Sequence, residues 1–218
     1  MIITKRQVNE NVRIAADGIE IEKVQLIKYL GIMIDDKLNL KKNTELVLKK
    51  MAKKTGFLMR NRKKVDTEAK LMLYKSIVAP HIDYCSSILY LCYSGEISDL
   101  QKIQNRALRA IYNESRYASI DVMLRNSNIL DVKQRIYFNV LLLLYKAKNN
   151  LLPEYLCERL TYVRDAQPYT LRSNDRLRPS VLISAFSQNS VFYNGVIMIN
   201  EMINQDYKVD RSDKICKE

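Results

Sequence analysis

Two adjacent aspartates, Asp35 and Asp36, follow the apolar run YLGIMI at residues 29–34. Enzymes that transfer phosphoryl groups hold magnesium with carboxylates, and a two-metal site needs several of them around ions about 4 Å apart. Neighbouring side chains of an extended strand point to opposite faces. The one aspartate further upstream, Asp17, stands in a predicted turn. The pair therefore favours a turn and helix cap over a metal site.

The single histidine and the four cysteines are the other residues whose chemistry could matter. His81 stands near Asp83, but no nucleophile lies beside it in the sequence, so a structural role is favoured. The cysteines form no CxxC pair, which argues against a zinc site and a disulfide framework. Cys85 and Cys92 are spaced like residues on one helix face and are predicted to lie in the core.

Basic residues dominate the charge, with 36 Lys and Arg against 24 Asp and Glu and a net charge of +12. This balance favours polyanionic partners, either nucleic acid or an acidic membrane surface. On a helix starting near Leu38, the apolar residues Leu40, Met51, Leu58 and Met59 share one side. Cations occupy the opposite side and its neighbourhood: Lys42, Lys49, Lys53 and Arg60, enlarged by Lys50, Lys54, Arg62, Lys63 and Lys64.

We call these nine cations the basic surface. Cations spaced along a helix can contact successive phosphates, which gives affinity without sequence preference. The alternative is an inert, solvated helix face, since lysine-rich exposed faces are common.

Two further groups of cations are weaker candidates for nucleic-acid binding. The first is a helix face with Lys102, Arg106 and Arg109. Three cations on an exposed helix are common and do not by themselves indicate binding. The second is a polar arm in which arginines stand beside tyrosines, as in RNA-binding segments that stack on bases. Its members are Arg164, Arg172, Arg176 and Arg178, with Tyr162 and Tyr169. Because the chain has 14 tyrosines, such neighbours also arise by chance.

The N-terminal part is predicted to form a small antiparallel sheet. Apolar residues alternate on both sides of Asp17-Gly18, which is a hairpin signal. Val24, Leu26 and the run 29–34 are predicted to continue as one further strand. Such a small sheet is only marginally stable alone, and its unpaired edge can recruit partners or aggregate.

The remainder is predicted to be mostly helical, since only 5 glycines and 4 prolines interrupt it. Asp66 is predicted to cap a second helix that meets Pro80, and residues 81–93 to be helical and buried. The strongly apolar segment 131–148 is predicted to be a central core helix. Other expected elements are helices at 97–113, from Pro153 and from Ser190 to about Asn204, a loosely ordered polar arm at 161–190 and a frayed tail.

The chain is expected to be soluble and intracellular, in the nucleus or cytoplasm. Its N-terminus lacks the continuous apolar region of a signal peptide. The longest apolar run, at residues 140–145, is far too short to span a bilayer. No membrane partner is therefore expected.

Several segments, in their order and spacing, resemble the C-terminal part of reverse transcriptases of non-LTR (LINE-type, jockey-like) retrotransposons. They are KYLGIMIDDKLNL (28–40), KKTGFLMRNR (53–62), LYKSIVAPHIDYCSSIL (73–89), ISDLQKIQNRALRAIY (97–112), ILDVKQRIYF (129–138), LLPEYL (151–156) and SVFYNGVIMINEMI (190–203). The resemblance covers most of the chain from residue 24 onward. The chain departs from the family in having no tryptophan, which the family usually carries near Leu40 and Leu89.

The resemblance implies a mainly α fold, with a thumb-like helical bundle preceded by a small antiparallel β-hairpin or sheet remnant of the polymerase palm. It implies four parts: a palm edge at 1–36, a helical thumb-like domain at 37–115, a continuing helical region at 116–160, and a polar arm, short helix and frayed tail at 161–218. The family's catalytic aspartates stand in an (F/Y)-x-D-D hairpin, which this chain lacks. No catalytic residue, metal ligand or cofactor is therefore expected here, and magnesium would belong to the parent enzyme.

Two functions are open at this point. The resemblance favours a non-catalytic fragment that grips a primer–template duplex of RNA and/or DNA through its phosphates, beside the missing palm and fingers of the polymerase. The alternative is a helical protein-interaction module, a repurposed or decaying retroelement fragment without a nucleic-acid role.

Overall fold

The structure is a computed structural model, which describes residues 15–92, 94–166, 176–179 and 190–202. The described part is mainly helical, with three short antiparallel strand pairs, two of them near the N-terminus. The predicted fold class is thereby confirmed. The chain divides into two compact units, Met1–Arg135 and Ile136–Glu218. The four-part division expected from the family resemblance stays a prediction.

The first strand pair is the predicted hairpin at Asp17-Gly18. It joins β1 (Ala15–Ala16) to β2 (Ile19–Glu20), and Ala16 pairs with Ile19. Asp17 and Gly18 both have positive φ angles, 51° and 77°. Two successive left-handed residues match the twist of the flanking strands, which explains why Asp-Gly forms the turn. The residues predicted to extend this sheet at 11–14 lie outside the described residues.

A second hairpin replaces the single strand that was predicted from Val24 to Ile34. β3 (Leu26–Tyr29) pairs in antiparallel register with β4 (Ile32–Asp35). Leu30 and Gly31 form the turn, with φ angles of 45° and 82°. The prediction was wrong because the apolar run hid the one glycine that lets the chain reverse. All four residues of β3 are exposed.

Helices form most of the first unit. They are α1 (Lys41–Asn61), α2 (Thr67–Leu73), α3 (Pro80–Asp83), α4 (Ser86–Leu89), α5 (Ser94–Tyr112) and α6 (Ile120–Ser127), with a π-helical segment (Tyr74–Val78) between α2 and α3. Asp66 caps α2 as predicted, since its carboxylate accepts a hydrogen bond from Ala69 N at 3.3 Å. Pro80 starts α3, because a proline in the first turn leaves no helical hydrogen bond unmade.

The segment 81–93, predicted to be helical and buried, forms two short helices within its described residues 81–92 rather than one. Tyr84 is extended and Cys85 is left-handed, and together they separate α3 from α4. Tyr84 is exposed, and its hydroxyl donates a 2.5 Å hydrogen bond to Leu30 O in the β3–β4 turn. The break therefore has a structural role, because it releases a tyrosine that ties the hairpin to the helices.

α1 and α5 pack side by side and run in the same direction. Near their N-terminal ends, Thr44 Oγ1 lies 3.2 Å from Cys92 Sγ. At their C-terminal ends, Lys70 Nζ donates to Arg62 O at 3.1 Å and to Ala110 O at 3.4 Å. Since both pairs of ends match, the helices are parallel. The segment from α2 to α4 returns the chain from the end of α1 to the start of α5.

Lys70 is the buried polar residue that joins these two helix ends, with 1% of its surface exposed. In the amide orientation that satisfies both neighbours, Asn113 Oδ1 also accepts from Lys70 Nζ at 3.1 Å. Helix C-termini carry partial negative charge, and two parallel helices place two of them together. The Lys70 side chain therefore supplies donors to acceptors that parallel packing brings together. Burial lowers the pKa of Lys70, and Asp66 opposes part of that shift.

α7 (Val132–Lys148) begins in the first unit and continues into the second. It was predicted to be a central core helix. One face of α7 fits this prediction, since Val140, Leu144 and Ala147 are buried. The other face of α7 does not fit it, because Phe138, Leu142 and Tyr145 are exposed in the described structure. The apolar composition of the segment hid this division between faces.

The second unit contains α8 (Glu154–Cys157), α9 (Val163–Ala166) and a helix at residues 191–202, here α10. β5 (Thr161–Tyr162) pairs with β6 (Leu177–Arg178). A Cβ atom at Gly195 would overlap with the Leu144 side chain, so α10 lies directly on α7 at this glycine. Ser190 caps α10 as predicted, because its hydroxyl accepts from Tyr193 N at 3.2 Å.

Within the arm at 161–190, the described residue Leu177 makes long-range contacts. The backbone N–H and C=O of Leu177 bind the Asn200 side-chain amide at 3.1 and 2.8 Å. Leu177 itself is buried. Long-range contacts of this kind leave no trace in a polar sequence. Residues 167–175 and 180–189 of the arm, and the tail after Asn204, lie outside the described residues.

Candidate nucleic-acid interface

The turn before α1 is built on Asp35. Its Oδ1 accepts from Lys37 N and Asn39 N, and its Oδ2 accepts from Leu40 N, all at 3.0 Å. Leu40, the residue before α1, is left-handed and offers no side-chain cap. The Asp35 carboxylate therefore supplies the acceptors that the start of α1 needs. This confirms the predicted turn role for Asp35.

The apolar side of α1 faces the interior of the first unit. Met51, Thr55 and Leu58 are buried, and α5 is the main neighbour of α1. Met59 was predicted to share this face, but it is exposed. The prediction was wrong because Met59 lies about 100° around the helix from Leu58, which is too far to reach the same neighbours. The buried side leaves the opposite side of α1 open to solvent.

All nine residues of the basic surface are exposed, on α1 and in the turn that follows it. Of these nine residues, only Lys42 forms an ion pair with another described residue, since its Nζ lies 3.3 Å from Glu45 Oε2. Between Glu45 and Asp66 the sequence contains no acidic residue. Apart from Glu45 beside Lys42, the cations of α1 therefore have no acidic neighbour on their own helix.

His81 on α3 borders the basic surface. Burial lowers the pKa of His81, and the charges of Lys50 and Lys54 lower it further. Such electrostatic effects need short distances, and α1 and α3 are in contact. Lys50 and Lys54 therefore extend the positive charge from the outer side of α1 toward α3. A structural role for His81 stays a prediction.

The α5 cations differ from the basic surface in their surroundings. Lys102 Nζ lies 2.7 Å from Asp99 Oδ1, which neutralises it in part. Arg106 is exposed, whereas Arg109 is half-buried and its Nε is a buried atom without a hydrogen-bond partner in the described structure. The three residues therefore do not form one free, evenly exposed stripe.

The arginines of the polar arm are only partly within the described structure. Arg164 lies over the Tyr162 ring, with 4.5 Å from its guanidinium carbon to the ring centroid. Its Nε also lies 3.6 Å from Asp165 Oδ1. Arg176 and Arg178 are exposed at β6, while Arg172 and Tyr169 lie outside the described residues. Arg164 thus stacks on a tyrosine of its own chain, the neighbour that the sequence places beside it.

Two exposed aromatic residues near cations were missed by the sequence analysis. Phe57 lies on the solvent side of α1 among the lysines, and its position on the helical wheel was the available signal. Tyr117 is 85% exposed in the turn after α5, with the Arg116 guanidinium carbon 5.4 Å from its ring centroid.

We also searched the described residues for a metal site, a reactive cysteine and a membrane-spanning helix. No cluster there contains three or more His, Cys, Asp or Glu side chains that could hold a metal. Burial raises the pKa of Cys92 to about 11, so its thiol is a poor nucleophile. Cys85 and Cys92 are both half-buried, but the break before α4 places them outside a common helix. No described helix combines the length and apolar character needed to cross a bilayer.

A cleft of about 300 Å³ in the first unit holds polar groups that already have partners. Arg135 binds Asp83 through two hydrogen bonds of 2.7 and 2.9 Å. Gln104 donates to Tyr74 Oη at 3.0 Å and to Leu130 O at 2.9 Å. These contacts tie α5 and the start of α7 to the segment around α3, which indicates a structural role.

Proteins similar to this chain include two from Drosophila melanogaster. A probable RNA-directed DNA polymerase from transposon X-element is 32% identical over 87 residues, which are 38% of this chain and 10% of that protein. A probable RNA-directed DNA polymerase from transposon BS is 28% identical over 127 residues, which are 56% of this chain and 14% of that protein. No protein-family model matches the chain, and no solved structure matches it.

The chain thus spans only a small part of the length of these relatives, 10% of one and 14% of the other. The similarity supports a relationship between this chain and part of the transposon-encoded RNA-directed DNA polymerases. The more detailed assignment to a thumb region stays a prediction.

Proposed function

We propose that the chain is a nucleic-acid-binding part of a non-LTR, LINE- or jockey-like reverse transcriptase, corresponding to the thumb and the helices after it. It grips a primer–template duplex of RNA and/or DNA through phosphates and without sequence preference. Its other partners are the palm and fingers of the parent polymerase. It acts inside the cell, in the nucleus or cytoplasm.

The observation that carries this proposal is the exposed basic surface on α1 and the turn after it, where no acidic residue stands between Glu45 and Asp66. Its cations project from a helix whose other side is buried against α5, so the charges are held on a rigid support. A helix with cations on successive turns can meet phosphates along a duplex groove. Each neutralised phosphate releases counterions, which makes the affinity strongly dependent on salt.

The same proposal assigns no catalytic step to this chain. Both oxygens of the Asp35 carboxylate accept backbone N–H groups, so the residue most like a metal ligand already has a structural role. The magnesium and the catalytic aspartates belong to the parent enzyme. The contribution of this chain is to hold the duplex.

The test is binding of the purified chain to an RNA–DNA hybrid across a salt series. We expect the logarithm of the association constant to fall linearly with the logarithm of salt concentration. In the variant Lys49→Ala, Lys53→Ala, Arg60→Ala, the slope should become shallower by about 3, since each phosphate contact contributes about 0.9.

A matched control removes three exposed lysines elsewhere, with Lys75→Ala, Lys146→Ala and Lys148→Ala. It changes the net charge by about the same amount but leaves the basic surface intact. An equal loss of slope in both variants would mean that net charge alone attracts the nucleic acid. If the association constant of the unmodified chain does not depend on salt concentration, the proposed function is rejected.

One observation favours the alternative, a protein-interaction module. β3 exposes Leu26, Ile27 and Tyr29, and within the described residues it pairs with β4 on one edge only. An apolar strand with an open edge is a common site for another protein chain. This surface shares no residue with the basic surface, so different substitutions test the two functions.

A further inference from the structure

Phe57 is an exposed aromatic residue in the middle of the basic surface. Its exposed fraction is 44%, whereas Met51 and Leu58 on the same helix are buried. Lys53 and Lys54 precede it by four and three residues, and Arg60 follows it by three. On an α-helix these spacings make side chains neighbours on the surface. The ring is therefore surrounded by cations on the solvent side of α1.

The packing of α1 does not account for this phenylalanine. Met51, Thr55 and Leu58 fill the buried side, and Phe57 lies outside that row. The cation–aromatic pairs found among the described residues involve Tyr117, Tyr162 and Phe192 rather than Phe57. The structure thus presents an aromatic face to the same ligand that the cations attract.

We propose that Phe57 stacks on an unpaired base, so that the basic surface prefers nucleic acid with a single-stranded portion over a blunt duplex. The inference rests on the proposed function and specifies its substrate. Phosphates are available on paired and unpaired strands alike, so the cations do not distinguish them. The face of a base is accessible only where the strand is unpaired, and every base has such a face.

The experiment compares three probes: a single-stranded RNA of about 12 nucleotides, a blunt RNA–DNA hybrid, and the same hybrid with a single-stranded template overhang. The chain should bind the overhang hybrid more tightly than the blunt one. Phe57→Ala should weaken binding to the single strand and to the overhang hybrid by about 5- to 100-fold, the range for one stacked base. Binding to the blunt hybrid should change less than about twofold.

Two further readings make the result specific to stacking. The salt slope should stay unchanged in Phe57→Ala, because no charge is removed, and Phe57→Trp should retain the affinity. Phe138→Ala is the matched control, since Phe138 is a phenylalanine of similar exposure, 49%, on α7. That variant should bind all three probes like the unmodified chain.

The outcomes separate this inference from the proposed function. If the basic-surface variant loses its salt slope while Phe57→Ala binds every probe normally, the interface is correct and the stacking role is wrong. If Phe57→Ala weakens the blunt hybrid as much as the single strand, stacking on unpaired bases is likewise rejected. If the unmodified chain binds no probe, both proposals fail together.

Discussion

Asp35 shows how one carboxylate can organise the start of a long helix. Its three hydrogen bonds go to backbone N–H groups within five residues, and one of them belongs to Leu40, directly before α1. The turn is unusual because Leu38 and Leu40 both have positive φ angles, 52° and 55°. Left-handed conformations are unfavourable for leucine, so the turn depends on the acceptor that holds it.

The substitution Asp35→Asn should therefore destabilise the first unit. The asparagine side chain would keep one acceptor oxygen but lose the negative charge and at least one of the three bonds. We expect a loss of about 1–2 kcal/mol in the free energy of unfolding, at the lower end for bonds to a charged group that is partly exposed. Chemical denaturation measures it as a lower midpoint with an unchanged slope.

Asp36→Asn is the matched control, since it makes the same change at the next residue. The backbone N–H of Asp36 bonds to Gln25 O, and this contact does not involve the side chain. Its midpoint should stay close to that of the unmodified chain. Equal destabilisation by both variants would contradict the role given to Asp35.

His81 offers a reporter of the basic surface, because it is the only histidine in the chain. Burial lowers its pKa below 6.5, and Lys50 and Lys54 lower it further. Phosphates bound to these lysines should cancel their repulsion, so the pKa of His81 should rise when nucleic acid binds. By linkage, the complex then takes up protons, and affinity should increase as pH falls between the higher pKa of His81 in the complex and its lower pKa in the free chain.

A proton NMR titration of the single imidazole measures this directly, with and without an RNA–DNA hybrid. In the free chain the lowered pKa also means that stability falls as pH drops through 6.5, because the unfolded state binds more protons there. Lys50→Ala with Lys54→Ala should raise the pKa of His81 in the free chain and reduce its response to the hybrid. A pKa that does not move on binding would separate His81 and these lysines from the interface.

At the scale of elements, the parallel pair α1 and α5 depends on the residue between their C-terminal ends. Lys70 donates to carbonyl groups of Arg62 and Ala110, and Asn113 completes its surroundings. Without the Lys70 side chain these acceptors would be buried without donors beside two helix C-termini. The short segment from α2 to α4 thus carries the residue that allows the helices it connects to lie parallel.

Lys70→Met should destabilise the first unit by about 1–3 kcal/mol, the cost of leaving buried acceptors without donors. Lys75→Met is the control, since Lys75 is an exposed lysine in the next turn. The lowered pKa of Lys70 adds a signature in pH. In the unmodified chain stability should rise with pH between the lowered pKa and 10.5, where only the unfolded state holds the proton.

Chemical denaturation between neutral pH and about pH 10 measures both effects. The pH-dependent rise should disappear in Lys70→Met and persist in Lys75→Met. If the two methionine variants unfold alike, Lys70 does not stabilise the helix ends.

At the scale of the whole molecule, two exposed surfaces, one basic and one apolar, favour different kinds of partner. The basic surface would attract polyanions, whereas the exposed strand β3 offers apolar side chains and an open edge. Ile27 and Tyr29, exposed by 41% and 61%, stand two residues apart and therefore share one face of β3. Their contact with another apolar surface would remove area from water, which drives association.

Ile27→Gln with Tyr29→Gln should therefore reduce self-association without changing nucleic-acid affinity. The control is Leu142→Gln with Tyr145→Gln on α7, where the exposed fractions are 40% and 60%. It removes a similar apolar surface that has no open strand edge. Sedimentation velocity over a concentration series should show a larger decrease in association for the β3 variant, and equal decreases would reject a role for the edge.

Local patterns predicted much of the secondary structure and the composition of the candidate interface. The hairpin at Asp17-Gly18, the cap at Asp66 and the cations of α1 were readable because each depends on residues a few positions apart. The same locality explains the errors at Gly31 and Cys85. One or two left-handed residues reverse or break a segment whose apolar composition indicates continuity.

The sequence by itself determined that this protein is mainly helical, strongly basic and rich in cations between Lys42 and Lys64. Only the tertiary structure decided that α1 and α5 are parallel, that Lys70 is buried between their ends, and that His81 lies beside Lys50 and Lys54. The contact between Lys70 and Ala110, for example, joins residues 40 positions apart. Such contacts depend on how whole elements pack, because the energy that selects them is shared among many side chains rather than held in one motif.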